Sequence, residues 1–179
     1  MGEPPRPGRR PPRPAAATMT ISPERFRLVL GRLAAGVSVV TSRDVDGGRH
    51  GLTATSVCSV SLEPPLVLVV LEKDANTHAI IERSGTFAVN FLDREQHEVA
   101  ERFATTPDDK FEGLSPGEAP TGAPILEGAL AWLDCVVVRS VPAGDHTVFI
   151  GRVEAADLGD SRSGLPLVRY AGRWADLCD

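Results

Sequence analysis

The chain has 179 residues, 42% of them hydrophobic, which suffices for one domain with its own core and is too few for two. A net charge of −5 excludes a nucleic-acid surface, which needs a clustered positive field, and no membrane association is expected. The three cysteines, Cys58, Cys135 and Cys178, are odd in number and lack metal-ligand spacing, so reduced thiols in a cytoplasmic protein are expected.

Residues 1–18 hold six prolines and four arginines against one glutamate, and no apolar run. That composition predicts a disordered, Arg/Pro-rich leader, with the folded domain over 19–179. Ser22, Pro23 and Glu24 read as a helix start, by capping, by fixed φ and by charge. Phe26, Val29, Leu30, Leu33 and Ala34 follow at helical spacing up to Gly36, so this helix should pack its apolar stripe on another element. A strand over Val37–Ser42 and a turn at Asp46-Gly47-Gly48 then predict an antiparallel hairpin. Leu66–Leu71 is continuously apolar and should be a strand buried on both faces. Asn76 opens a short helix carrying Ile80 and Ile81, which Gly85 ends before a strand over Thr86–Phe91. Asp93 and Gln96 have the spacing of a capping box, ahead of a helix whose Val99, Ala100 and Phe103 face inward. Thr105–Glu127 shows no lasting period and reads as a long irregular loop, of the length often used for lids or interface arms. Two long strands follow, Ala129–Val141 and Thr147–Ala155, around a turn at Gly144-Asp145, and a last hairpin turns at Ala171-Gly172. The order is mainly β with peripheral helices, antiparallel, and it excludes a parallel doubly wound sheet.

One stretch stands apart, GLTATSVCSVSLEPP over Gly51–Pro65. Thr53, Ala54, Thr55, Ser56, Cys58, Ser59 and Ser61 are all small, which suits a surface lying flat against a planar, phosphate-bearing ligand. Composition alone leaves a ligand-free Thr/Ser-rich turn equally open. Asn76 either caps its helix or, with Thr77, offers free N–H groups to a phosphate. Neither a G-x-G-x-x-G nucleotide fingerprint nor a P-loop is present. His50, His78 and His97 show no metal-ligand spacing and read as exposed helix or turn residues.

The segments GLTATS, SVSLEPPLVLV, GTFAVNFL, RFA, DKF, GDHTVFIGRV and PLVRYAGRW, in this order from about Phe26 to Trp174, resemble the flavin reductase domain family. These are the short-chain NAD(P)H:flavin oxidoreductases that serve two-component monooxygenases, secondary metabolism included. The resemblance implies a split β-barrel of the FMN-binding type. It implies FAD or FMN bound along Thr53, Ala54, Thr55, Ser56 and Ser59, with NADH as donor and NADPH as the alternative. Within the RFA block it implies ligand contact by Arg102 and Phe103; for Lys110 a structural salt bridge remains equally open. It places His146 of the GDH block at the flavin and nicotinamide pocket, as the catalytic residue, and Tyr170 near the nicotinamide. Reduced flavin would pass to a separate flavin-dependent monooxygenase. A half-open barrel also leaves apolar surface that a symmetric homodimer would cover. The rival readings are a non-catalytic flavin-binding protein and a pyridoxamine-phosphate-oxidase-like enzyme on the same barrel.

Overall fold

A computed structural model describes residues 21–105, 109–175 and 177. The leader expected over 1–18 and Cys178 lie outside the described residues. In chain order the elements are α1 (Pro23–Leu30), β1 (Ala35–Gly36), β2 (Ser38–Arg43), β3 (Arg49–Ala54), β4 (Val57–Ser61), β5 (Leu66–Glu72), α2 (Asn76–Ser84), β6 (Thr86–Phe91) and α3 (His97–Ala104). Then come β7 (Gly117–Glu118), β8 (Pro124–Ile125), β9 (Ala131–Ala143), β10 (His146–Leu158), β11 (Val168–Tyr170) and β12 (Arg173–Ala175).

Seven strands form one antiparallel sheet in the order β3-β2-β6-β9-β10-β5-β4. Its two edge strands, β3 and β4, are consecutive in sequence and separated only by Thr55 and Ser56. Three Cα–Cα steps span at most about 11 Å, so the sheet has to curl until its edges nearly meet. The result is a split barrel, with the small-residue bend Thr55-Ser56 bridging the split.

The barrel interior holds Val40, Val69, Leu71, Ile81, Phe87, Val89, Cys135 and Phe149, all nearly or fully buried. Gly151 is required there, because a Cβ would lie 2.6 Å from Phe87 Cζ and 2.9 Å from Cys135 Cβ. A second cluster outside the barrel joins Val37, Val39, Leu92, Ala100, Phe103, Phe111, Leu126 and Leu167. Val39 and Val40 sit in different clusters because successive side chains point to opposite faces. The strands buried on both faces are therefore β2 and β6, which α3 and the segment after it cover, whereas β5 alternates buried with half-buried residues. This corrects the expectation for Leu66–Leu71.

The long loop is also better anchored than its composition implied. Phe111, Ala119, Ala123 and Leu126 are buried, Thr41 Oγ1 donates to Pro124 O at 2.6 Å, and Asn90 Oδ1 accepts from Leu126 N at 2.8 Å. Ser22 caps α1, accepting from Arg25 N at 3.2 Å, but the helix ends at Leu30 and Gly36 lies in β1. No residue of α1 is buried, and Phe26, Leu28, Val29, Leu30 and Leu33 are about half exposed or more. The expected packing is absent within one chain because no described element lies against that stripe.

Asp93, only 1% exposed, ties the 161–165 segment to the start of α3. Its carboxylate accepts from Glu95 N at 2.8 Å, Ser161 Oγ at 2.7 Å, and Ser163 N and Oγ at 3.0 and 2.8 Å. Gln96 reaches back to Asp93 N at 3.0 Å, the return half of the expected capping box. Burial works to raise the Asp93 pKa, but these hydrogen bonds outweigh it and bring it down to about 2. With the folded pKa below the ordinary value, the stability this carboxylate carries is complete above about pH 4 and lost as pH falls towards 2. Asp93→Ala is expected to cost about 2–4 kcal/mol at neutral pH, with a much smaller difference from the parent near pH 2, measured by urea unfolding.

Candidate functional site

The bend at the barrel split opens into a cavity of about 610 Å³. Thr53, Ala54, Thr55 and Ser56 form one wall, α2's start at Asn76 and Thr77 another, with Phe103, Lys110 and His146 around them. The volume lies within the range of small-molecule and cofactor sites. Thr55 and Ser56 are outside both strands, so their N–H groups are not committed to the ladder, and their small side chains leave the wall open. The Thr53 hydroxyl, by contrast, is spent on Ala100 O at 2.6 Å and fastens β3 to α3.

Asn76 is the first helical residue rather than the cap; the cap position is Ala75, which has no side-chain hydrogen bond to give. The first turn of this nine-residue helix therefore presents backbone donors and positive potential without a capping side chain. Thr77 is only 3% exposed, lines the cavity, and its hydroxyl has no hydrogen-bond partner among the described residues. A hydroxyl that has no protein partner and opens to the cavity, beside free helix N–H groups, is the donor set that a phosphate fills.

His146 begins β10, paired with Glu72 of β5. Its Nδ1 lies 2.7 Å from Asp145 Oδ1, and the hydrogen bond to this imidazole holds the Asp145 carboxyl below its usual range. An ionised carboxylate only accepts, so Nδ1 carries the proton and, in the neutral ring, Nε2 is left as an acceptor. The Gly144–Asp145 turn is fixed from β5's end: Lys73 N donates to Asp145 O at 3.0 Å and Lys73 Nζ to Gly144 O at 2.5 Å.

Phe103 reaches the cavity because β3 carries Gly51 beneath it: a Cβ there would lie 2.7 Å from the Phe103 ring. The ring meets Phe111 edge to face, centroids 5.0 Å apart. Lys110 Nζ donates to Phe103 O at 3.0 Å and Gly51 O at 3.3 Å, keeping one of its three N–H donors for a ligand. Burial lowers its pKa.

Three residues expected at the site lie outside this cavity. Arg102 is exposed and donates Nη1 to Glu112 O at 2.9 Å. Ser59 lies further along β4, in an apolar groove with Leu33, Val57 and Leu66. Tyr170, exposed, is replaced near the site by Arg169 and Trp174, which line a second cavity of about 450 Å³ sharing Thr53 and Thr55 with the first. The Arg169 guanidinium stacks 4.4 Å from the Trp174 ring, and Trp174 Nε1 donates to Glu101 Oε1 at 3.1 Å.

Two histidines depart from the exposed residues expected of them. His78 is buried, and His50 is half-buried, lines the cavity and holds Asp44 Oδ2 at 2.9 Å. Cys135 is buried and inert: burial first, then the carboxylates of Asp134 and Glu154, push its thiol up to about 12. Among the described residues no cluster of His, Cys, Asp and Glu could hold a metal ion, and no helix is long and apolar enough to cross a membrane.

The chain is 42% identical over 163 residues to the flavin-dependent monooxygenase reductase subunit HsaB of Rhodococcus jostii (strain RHA1), covering 91% of this chain and 82% of that protein. It is 40% identical to an NADH-dependent flavin reductase of a Rhodococcus species, covering 88% of each. Among solved structures, the NADH:FAD oxidoreductase SgcE6 of Streptomyces globisporus C-1027, in complex with NAD and FAD fragments, superposes with a TM-score of 0.80. That pair shares 34% identity, over 90% of this chain and 98% of the other. With the sequence model of the flavin reductase like domain matching residues 30–177, the chain belongs to that family.

Proposed function

We propose that the chain is an NADH-dependent flavin reductase that delivers reduced FAD or FMN to a separate monooxygenase. The observation that carries the reading is the cavity itself, which joins a wall of small residues, an uncapped helix start with the unpartnered Thr77 hydroxyl, and an imidazole held in one tautomer. These residues fit a flavin: Ala54, Thr55 and Ser56 leave its faces uncovered, and Asn76 and Thr77 would take its phosphate. The bound flavin supplies the acceptor for hydride from the reduced nicotinamide. The chain's own work is alignment. Asp145 holds the Nδ1 proton of His146, so that Nε2 can accept from an amide such as the nicotinamide carboxamide, and Phe103 limits water on the neighbouring side. No proton has to move at the protein for hydride transfer.

NADH is favoured over NADPH by charge. Around His146 stand Glu72, Asp74 and Asp145, all exposed, and the nearby Lys73 is already engaged with Gly144 O. These carboxylates repel NADPH, which carries the additional phosphate charge, more than NADH. Delivery to a separate oxygenase rests on relatives named as monooxygenase reductase subunits, HsaB among them. Those relatives and the His146 pocket favour the reductase over a non-catalytic flavin binder or a pyridoxamine-phosphate-oxidase-like enzyme. A cytoplasmic location agrees with the free, exposed Cys58. Flavin-dependent oxidation of NADH by the purified chain is the test.

A homodimer would cover α1's exposed apolar stripe and the neighbouring groove of about 550 Å³ that Leu33, Val57, Leu66 and Leu133 line. Light scattering is expected to give twice the chain mass of 19.0 kDa. A monomer at micromolar concentration with full turnover would contradict it.

A further inference from the structure

We propose that His78 is a positioning residue, holding the two ligand-facing walls of the cavity in register through Thr147. Asn76 and Thr77 of α2 line one wall and His146 of β10 another, and the next residue inward on each element is His78 and Thr147. These two meet: His78 Nε2 lies 2.8 Å from Thr147 Oγ1, with the residues 5% and 2% exposed. Among the described residues it is the only hydrogen bond between α2 and β10. The ring is confined further by Phe149, which it meets edge-on with centroids 5.1 Å apart, while Nδ1 has Glu82 Oε2 at 3.9 Å.

The geometry gives this bond a task that packing alone leaves undone. β10 is fixed by its ladder with β5, and the Gly144–Asp145 turn by Lys73. The α2 body lies chiefly against β2 and β3, burying Ile80 and Ile81, and its far end is held by Ser84 Oγ, 3.1 Å from Ser42 Oγ of β2. At the near end, one residue from Thr77, the directed bond from His78 to Thr147 fixes the first turn, and so holds the Thr77 hydroxyl and the first-turn N–H groups towards the cavity. The bond is fully desolvated, so losing one partner leaves a buried polar group unpaired, and the helix start is the part free to move in response.

The inference rests on reading α2's first turn as the phosphate-binding end. Its test compares FMN with riboflavin, which lacks the phosphate, by fluorescence titration of the full chain. Thr147→Val removes Oγ1 at nearly constant shape, Thr147→Ser keeps it, and His78→Leu removes the imidazole. The parent is expected to prefer FMN clearly. Thr147→Val and His78→Leu should each shrink that preference about tenfold with riboflavin affinity little changed, the double variant no further, and Thr147→Ser should retain it. If the parent itself binds FMN and riboflavin equally, the phosphate reading falls and this inference with it. If the parent prefers FMN and Thr147→Val keeps the full preference, His78 has no positioning role and the phosphate reading stands. Equal weakening of both flavins by Thr147→Val would also overturn the proposal, since a general loss of structure has that signature.

Discussion

Ser56→Trp is expected to weaken flavin binding at least about a hundredfold while leaving the melting temperature almost unchanged. Ser56 is exposed in the bend between β3 and β4, contributes its carbonyl to Val70 N at 3.1 Å, and lines the cavity with a side chain of two heavy atoms. An indole there costs the fold little, because it replaces no buried contact. It occupies the space that a planar ligand needs, and a hundredfold loss corresponds to only about 2.7 kcal/mol of ligand contact. The check is a fluorescence titration with FMN and FAD beside a thermal melt. Unchanged affinity in a stably folded variant would show that the small-residue bend does not face the ligand.

The second large effect is expected at His146. His146→Ala should lower the rate of hydride transfer roughly ten- to a hundredfold, the cost of one or two hydrogen bonds lost in a site. Stability should hardly change, because the ring is 40% exposed and its partner Asp145 is 85% exposed, and surface pairs contribute about 0–1 kcal/mol. Asp145→Asn is informative beside it. An amide can accept or donate where the carboxylate only accepts, so the tautomer of His146 is no longer fixed, and an intermediate loss is expected. Stopped-flow reduction of pre-bound flavin across an NADH titration reads both variants. An unchanged rate in His146→Ala would leave the imidazole a turn residue.

The fold was legible wherever local chemistry decides it. Gly47 and Gly85 adopt the positive φ their turns require, Ser22 caps its helix, and β6 spans the expected Thr86–Phe91. Burial on both faces was not legible, because it depends on what a distant segment covers. Leu66–Leu71 looks more apolar than Ser38–Arg43, yet α3 and the 109–127 segment lie over the latter. The α1 stripe was read correctly as apolar, but no described element of the same chain covers it.

At the site, Thr53–Ser56 could be read because small residues in a row are a statement about space. Arg102 and Lys110 could not be told apart by pattern, since each is a cation preceding a phenylalanine. Helical geometry does separate Arg102 from its neighbour, because residues one apart differ by 100° around the axis, so a buried Phe103 turns Arg102 outward. Lys110 points inward through the path of the loop, which leaves no local signal. In the last hairpin, Arg169 faces Trp174 across the strands while Tyr170 pairs with Arg173. Choosing the tyrosine amounted to choosing the wrong side of a period-two alternation. His78 was invisible for the same reason as Lys110: its burial comes from Phe149 and Thr147, about seventy residues later.

The central claim is tested most directly by following NADH oxidation by the purified chain with and without added FAD or FMN, under air and then anaerobically. The account predicts oxidation that depends on both protein and flavin. Without oxygen it predicts stoichiometric bleaching of the flavin absorbance, and it predicts a clear preference for NADH over NADPH. No turnover above the uncatalysed rate with either flavin and either nicotinamide, from a chain that binds flavin, would contradict it.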